Sequence, residues 1–308
     1  MTEIDAIRLN FSPGSLVALN VILAFVMFGV ALDMKLADFK GITSAPRAVL
    51  IGMLAQFVLL PATAWALTMV LRPQPSIALG IILVACCPGG NISNFMTHFA
   101  RGNTALSVTM TAFSTMGAMF FTPFNTALWG GLNPHTNAIL REIAISPLEV
   151  LGTIMVLLAI PAVLGMTAAH RYPTFASRAR RPFRILSIVV FVAFVVLALA
   201  ANWTYFLQYT QRVVLAVFLL NALGLSLGYF AARAAGLAPA DRRAVSIEVG
   251  IQNSGLGLIL IFNFFGGLGG MAVVAAWWGI WHILSGLALA TWWRHHPPPA
   301  PPAALVTT

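Results

Sequence analysis

The chain has 308 residues, of which 59% are apolar and 8% are charged, and its mean hydropathy is +0.90. Soluble domains carry about 25% charged residues, so a water-soluble fold is excluded and the bilayer is expected to solvate most of the chain. The net charge of +9 does not indicate nucleic-acid binding, because the basic residues lie in short gaps between apolar runs.

A membrane-spanning helix needs about 20 mainly apolar residues, and the sequence contains nine such runs. They cover residues 16–32, 48–71, 77–100, 104–128, 146–167, 185–203, 213–232, 245–265 and 271–293. Their length and the lack of period-2 alternation favour helices over strands. We therefore predict an all-α polytopic membrane protein with about nine transmembrane helices.

The loop charges predict the orientation of these spans. Placing the N-terminus outside gives the cytoplasmic loops and tail 13 of the 17 Lys and Arg residues. Positive charge is enriched on the cytoplasmic side, so residues 1–15 are expected outside. The Pro-rich tail, 294–308, is expected inside. The predicted location is the inner (plasma) membrane, with the protein as a multi-pass monomer.

Two predicted spans contain residues that interrupt a helix. Residues 86–91 of the third span read Cys-Cys-Pro-Gly-Gly-Asn, and residues 248–255 of the eighth span carry Glu, Gln, Asn, Ser and Gly. Proline and paired glycines oppose a continuous helix. The third and eighth spans run in opposite directions, and interrupted helices at corresponding positions of inverted halves are typical of a transporter's binding site. We therefore predict inverted repeats with two broken crossing helices.

Glu248 lies deepest in a predicted span among the acidic residues. An intramembrane carboxylate is costly and indicates a functional site by default, although a protonated or hydrogen-bonded structural role is the alternative. Gln252 lies four residues later and shares its helix face. Other oxygen-bearing side chains lie near the breaks or within spans: Gln56, Ser93, Asn94, Ser107 and Thr111. Taken singly, the Ser and Thr hydroxyls could bond to their own helix, and the Gln and Asn amides could simply join two helices. Together they favour a hard cation such as Na⁺.

The breaks also create half-helix N-termini, which attract anions. One carboxylate facing more than one monovalent cation leaves a local excess of positive charge. This pattern predicts a cation-coupled carrier of an organic anion, and no enzyme. Proton coupling through Glu248 remains open. An intramembrane enzyme with Ser254 as its nucleophile is disfavoured, because no His–Asp pair is placed near it.

The remaining candidates indicate no cofactor and no transition metal. Cys86 and Cys87 are adjacent and have no metal-ligand spacing. His98 and His282 are interpreted as packed, hydrogen-bonded residues, and His282 is also a candidate for lining a substrate cavity. A retinal receptor is excluded, because Lys35 and Lys40 are the only lysines and both lie in a predicted loop.

The interrupted segments resemble those of the bile acid:sodium symporter family. Residues 86–94, 101–103 and 106–108 resemble the family's first crossing helix and the helix after it. Residues 246–255 resemble its second crossing helix, and Gln56 before Pro61 also fits. The similarity extends over about residues 28–293.

The resemblance implies a core domain, about 48–128 and 213–293, and a panel domain, about 16–47 and 146–203. It also implies two sodium sites with no other cofactor. The first would use Ser93, Asn94, Ser107, Thr111 and Glu248. The second would use Gln56, Glu248 and Gln252 with the carbonyls of Val249 and Ile251.

By the same resemblance, an organic anion would bind beside the crossing near Asn91 and Asn253, with His282 as a further candidate. Some bacterial members carry Thr at position 91 and Asn at position 283, where this chain has Asn91 and Ile283. Bile acids, steroid conjugates and small keto or hydroxy acids therefore all remain open as substrates.

Overall fold

A computed structural model describes residues 3–6, 13–33, 45–143, 160–201 and 203–297, together with positions 152, 156 and 159. Within these ranges the chain is helical and contains no strand beyond an isolated bridge, Gly89 to Gln252. The predicted all-α class is therefore confirmed.

The helices differ widely in length, and proline is the first residue of several of them, where its missing N–H leaves no helical hydrogen bond unmade. In chain order they are α1 (Glu3–Ala6), α2 (Pro13–Asp33), α3 (Pro46–Leu71), α4 (Pro75–Cys86), α5 (Ile92–Phe99), α6 (Thr104–Leu132), α7 (Pro134–Ile143), α8 (Ile160–Arg171), α9 (Pro173–Ala201), α10 (Trp203–Ala234), α11 (Pro239–Gly250), α12 (Ser254–Phe264) and α13 (Gly269–His295). A π-helical turn, Ala55–Leu59, interrupts α3.

Four helical stretches in the described part of the chain are long and apolar enough to cross a bilayer. They are Pro46–Leu71, Thr104–Leu132, Val213–Ala234 and Gly269–His295. Shorter apolar stretches occur in α2, α4 and α12. The architecture is that of a polytopic membrane protein. The count of nine spans stays a prediction, because half of the expected span 146–167 lies outside the described residues.

Both predicted interruptions are present. The third predicted span consists of α4 and α5, separated by residues 87–91. The eighth consists of α11 and α12, separated by residues 251–253. Each expected long helix is therefore two short ones.

Several helix ends differ from the predicted ones. The connections expected at 168–184 and 204–212 are largely helical, since α9 starts at Pro173 and α10 at Trp203. Hydropathy detects only the apolar part of a helix. Arginine is a good helix former, so a helix can continue beyond the apolar part into an arginine-rich segment, where water solvates the side chains. The helix α7 was not predicted either.

The N-terminal segment contributes a buried contact that its polarity did not predict. Asp5 is buried, and its Oδ1 accepts a hydrogen bond from the backbone N–H of Ser76 at 2.9 Å. Ser76 lies in the first turn of α4, where backbone N–H groups lack helical partners. A carboxylate there also interacts favourably with the helix dipole.

The helices pack in groups that place the two breaks inside the protein. α2 packs against α8 and α9, whereas α4 packs against α13 and α11 packs against α10. Gly228 permits the last contact: a Cβ atom there would lie 2.7 Å from the carbonyl oxygen of Val245 and 2.9 Å from the Cα of Ser246. Both neighbours are backbone atoms of α11, so they cannot move aside by changing a rotamer.

We expect Gly228→Ala to lower the free energy of unfolding by about 1–3 kcal/mol, the usual cost of overpacking. Thermal unfolding of the detergent-solubilised protein measures this. Gly131→Ala is the matched control, because a Cβ at Gly131 meets nothing within 4 Å. Equal melting temperatures for the two variants would contradict the close packing of α10 on α11.

Candidate functional site

The two helix breaks cross each other inside the protein. Gly89 and Gln252 form an antiparallel bridge. The N–H of Gly90 donates to the carbonyl of Ile251 at 2.7 Å, and the N–H of Asn253 donates to the carbonyl of Pro88 at 2.9 Å. Each break thus supplies a hydrogen-bond partner to a backbone group of the other break. Such pairing is necessary inside a membrane, where no water is present to form these hydrogen bonds.

Glu248 lies at this crossing and is fully buried. Its Oε2 accepts hydrogen bonds from the hydroxyls of Ser93, at 2.5 Å, and Thr111, at 3.0 Å. Its Oε1 has no hydrogen-bond partner among the described residues. Hydroxyls stabilise a buried carboxylate only partly, so one oxygen of a costly buried group is left without a partner.

A side chain at Gly89 would collide with this oxygen. A Cβ atom there would lie 2.1 Å from Glu248 Oε1 and 2.6 Å from the carboxyl carbon. The absence of a side chain at Gly89 in the first break therefore leaves room for the Glu248 carboxylate at the crossing.

Asn94 completes the polar cluster around Glu248. Its Oδ1 accepts from the hydroxyl of Ser107 at 2.8 Å and lies 3.2 Å from the hydroxyl oxygen of Thr111, whose single hydrogen can point either to Asn94 or to Glu248. The structure thus brings together the five residues predicted for the first sodium site: Ser93, Asn94, Ser107, Thr111 and Glu248. They come from α5, α6 and α11, and all present oxygen atoms.

Gln56 and Gln252 form a second polar pair at the crossing. Gln56 lies in the π-helical turn of α3, a feature common at functional sites. Its Nε2 donates to Gln252 Oε1 at 2.7 Å and to the carbonyl of Cys87 at 2.8 Å. Gln252 Nε2 donates to Gln56 Oε1 at 3.2 Å and to the carbonyl of Val249 at 2.6 Å. Three members of the predicted second set, Gln56, Gln252 and the Val249 carbonyl, are therefore joined by hydrogen bonds. The carbonyl of Ile251 instead accepts from the N–H of Gly90.

The three predicted substrate residues lie around the crossing but differ in exposure. Asn91 is exposed, whereas Asn253 is half-buried and its Oδ1 accepts from the N–H of Leu256 at 3.0 Å, capping α12. His282 is buried, and its Nδ1 has no partner in the described part of the chain.

The register of α13 places His282 on the face that meets the crossing. Gly279 and Gly286 lie three residues before and four residues after it, so the three positions share a face. A Cβ at Gly279 would lie 3.1 Å from Ser254 Oγ, and one at Gly286 would lie 2.7 Å from Ile251 Cδ1. His282 therefore lies between the start of α12 and the second break.

The packed interpretation of His98 is wrong, because its side chain is exposed. It lies in the last turn of α5, on the same face as Asn91 and Phe95, and both are exposed as well. The helix buries its other face, which carries Ser93, Met96 and Thr97.

Sequence reasoning missed three side chains that satisfy backbone carbonyls near the breaks. Thr122 donates to the carbonyl of Cys86 at 2.7 Å, and Asn221 donates to that of Gly250 at 2.9 Å. Asn125 donates to the carbonyl of Phe57 in the π-helical turn, also at 2.9 Å. Their polarity within apolar spans was a usable signal, but it did not show which carbonyl each would meet.

Comparison with known proteins identifies the family of the chain. The profile of the sodium bile acid symporter family matches residues 20–209, more than half of the chain. The chain belongs to the sodium bile acid symporter family. The resemblance inferred from the interrupted segments is thus confirmed.

Individual relatives extend the match beyond that range. The chain is 34% identical over 274 residues to a Bacillus subtilis protein described as an uncharacterized sodium-dependent transporter, covering 89% of this chain and 82% of the relative. It is 34% identical to a probable sodium/metabolite cotransporter of Arabidopsis thaliana chloroplasts, over 79% of this chain and 59% of that protein. It is 29% identical to the human ileal sodium/bile acid cotransporter, over 77% of this chain and 67% of that protein.

We expect Gly89→Ala to displace the Glu248 carboxylate from Ser93 and Thr111, costing about 1–3 kcal/mol of stability. Thermal unfolding measures this, with Gly90→Ala as the matched control. A Cβ at Gly90 would lie 3.3 Å from its nearest neighbour, the backbone oxygen of Gln252, so it requires a shift of only a few tenths of an ångström. A Cβ at Gly89 would instead overlap the Glu248 carboxylate. Equal melting temperatures of the Gly89→Ala and Gly90→Ala variants would contradict the close approach of the Glu248 carboxylate to Gly89.

Proposed function

We propose that this protein is a sodium-coupled symporter of an organic anion that works by alternating access. The observation that carries the proposal is the fully buried Glu248, which has one oxygen without a partner and neutral oxygen-bearing side chains around it. A buried carboxylate is strongly destabilised without a compensating positive charge. Oxygen ligands without His or Cys suit a hard cation.

In the first proposed sodium site, the ion binds Glu248 with the oxygens of Ser93, Asn94, Ser107 and Thr111. Two of these side chains already contact the carboxylate, and Asn94 Oδ1 contacts two hydroxyls. The hydroxyls must turn their hydrogens away from a bound cation so that their lone pairs face it. Hydroxyl rotation is cheap, which supports reversible binding.

The second proposed sodium site uses the side-chain oxygens of Gln56 and Gln252 with the carbonyls of Val249 and Ile251 and with Glu248. The two amides now bond to each other, and Ile251 accepts from Gly90. Each carbonyl oxygen has two lone pairs, so it can keep its hydrogen bond while binding an ion. Sodium would pull the two amide oxygens to the same point and open the amide pair, which links binding to the shape of the crossing.

The substrate is proposed to bind beside the crossing, at Asn91, Asn253 and His282. The N-terminus of α5 begins at Asn91 without a side-chain cap, and the partial positive charge of a helix N-terminus favours an anion. The relatives' names mention both bile acid and metabolite cotransport. The proposed substrate is accordingly a bile acid or a smaller carboxylate.

For alternating access, we propose a panel of α2, α8 and α9 that moves against a core containing α3 to α6 and α10 to α13. The packing of α2 on α8 and α9 supports this division. The positive-inside pattern supports an external N-terminus in the plasma membrane. Sodium at the crossing would then change how the panel sits on the core.

We predict that Na⁺, but not K⁺ or choline, raises the melting temperature of the purified protein, since a ligand that binds only the folded state stabilises it. In Glu248→Gln the melting temperature should not rise with Na⁺ at any concentration in a series that spans at least a hundredfold range. The reason is that the variant lacks the negative charge of the Glu248 carboxylate. Asp241→Asn is the matched acid-to-amide control. An unchanged sodium response in Glu248→Gln would remove Glu248 from the sodium site.

We predict that proteoliposomes accumulate at least one organic anion when an inward Na⁺ gradient is imposed. The test panel contains taurocholate, a sulfated steroid, a 2-keto acid and a 2-hydroxy acid, each assayed with Na⁺ or K⁺ outside. Uptake driven equally by a pH gradient without Na⁺ would contradict sodium coupling. Absence of uptake of all four compounds would contradict the proposed substrate class.

A further inference from the structure

Two asparagines form a reciprocal amide pair between distant segments of the chain. Asn20 Nδ2 donates to Asn263 Oδ1 at 3.0 Å, and Asn263 Nδ2 donates to Asn20 Oδ1 at 2.7 Å. Asn20 lies in an apolar stretch of α2, and Asn263 lies near the end of the apolar α12. Asn263 Nδ2 also donates to the carbonyl of Ile259 in its own helix at 3.0 Å. An amide in such a stretch is costly unless it is paired, so the two reciprocal hydrogen bonds stabilise both asparagines there.

The pair joins a helix of the proposed panel to a half-helix of the proposed core. α2 packs against α8, α9 and α12. On the core, α12 lies on the same side of the crossing as α4, whereas α5 and α11 pack together on the other side. The amide pair therefore joins panel and core on the α4–α12 side, which the positive-inside pattern assigns to the outside.

The opposite side of the crossing presents exposed side chains. Asn91, Phe95 and His98 follow one face of α5 at intervals of four and three residues, and all are exposed, Phe95 by 57%. Asn91 lies at the crossing itself, at the depth where a polar side chain requires water or protein rather than lipid. These three side chains therefore form an exposed face of α5 on the α5–α11 side of the crossing, opposite the amide pair.

We propose that the Asn20–Asn263 pair is a latch that holds the panel against the core on the outer side of the crossing. The proposal rests on alternating access in the proposed function. A neutral amide pair suits such a role, because both groups gain water when the latch opens and no charge is left buried. Interhelical hydrogen bonds in membranes are individually weak, so the latch biases the conformational equilibrium without blocking turnover.

The latch predicts that an apolar substitution raises the population of the outward-open state by roughly tenfold, the effect of losing two such hydrogen bonds. The reporter is Ile259→Cys, one turn before Asn263 on the same face of α12 and only 5% exposed. Its labelling by a maleimide is measured in nanodiscs in choline chloride, without Na⁺ or organic anion. The native Cys86 and Cys87 are fully buried, and the parent protein gives their background.

Asn20→Leu and Asn263→Leu should each speed this labelling about tenfold, and the double variant should be no faster than either single one, because both remove the same interaction. Asn263→Ser is the second, smaller substitution if Leu prevents folding. Val21→Leu is the matched control, since Val21 is 63% exposed on the same helix. Unchanged labelling, or independent effects that multiply in the double variant, would overturn the latch.

The labelling assay tests the latch, and the melting-temperature assay tests sodium binding, so the two proposals can fail separately. Failure of sodium coupling would leave the parent's melting temperature unaffected by NaCl, whatever the labelling rates. Failure of the latch would leave labelling in choline chloride unchanged, even if NaCl stabilises the protein.

Discussion

The central constraint on this fold is a carboxylate that is fully buried where two broken helices cross, with one oxygen unpaired in the described structure. A charge in that position is costly, so the surrounding residues either compensate it or supply a place for a cation. Ser93 and Thr111 hydrogen-bond one oxygen. The other oxygen faces Gly89, where the absence of a side chain leaves it room.

The surrounding helices supply hydrogen bonds to backbone groups that the two helix breaks would otherwise leave unsatisfied. Each break donates one hydrogen bond to the other, and Thr122, Asn125 and Asn221 donate to carbonyls at or beside the interruptions. This support comes from continuous helices, α6 and α10. The broken helices can therefore present oxygen atoms and half-helix ends at one point, which a pair of unbroken helices cannot do.

The sequence predicted the all-helical class, both interruptions and the polar side chains at the crossing, because proline, glycine and intramembrane acids have strong local consequences. It did not predict the helix ends near Pro173 and Trp203, since hydropathy reports contact with lipid rather than helical conformation. Nor did it predict that Asn20 pairs with Asn263, 243 residues away, because a single amide in an apolar run does not identify its partner. The exposure of His98 depended on how α5 rotates once the helix is broken, which local patterns do not determine.

Equilibrium binding of ²²Na⁺ to the purified protein tests the central claim most directly. The account predicts saturable binding that unlabelled Na⁺ displaces and that K⁺ and choline do not. Saturable binding should be present in the parent protein without any organic anion, because the oxygen-bearing residues already surround Glu248. A folded, monodisperse protein that binds no ²²Na⁺ above background would contradict the account.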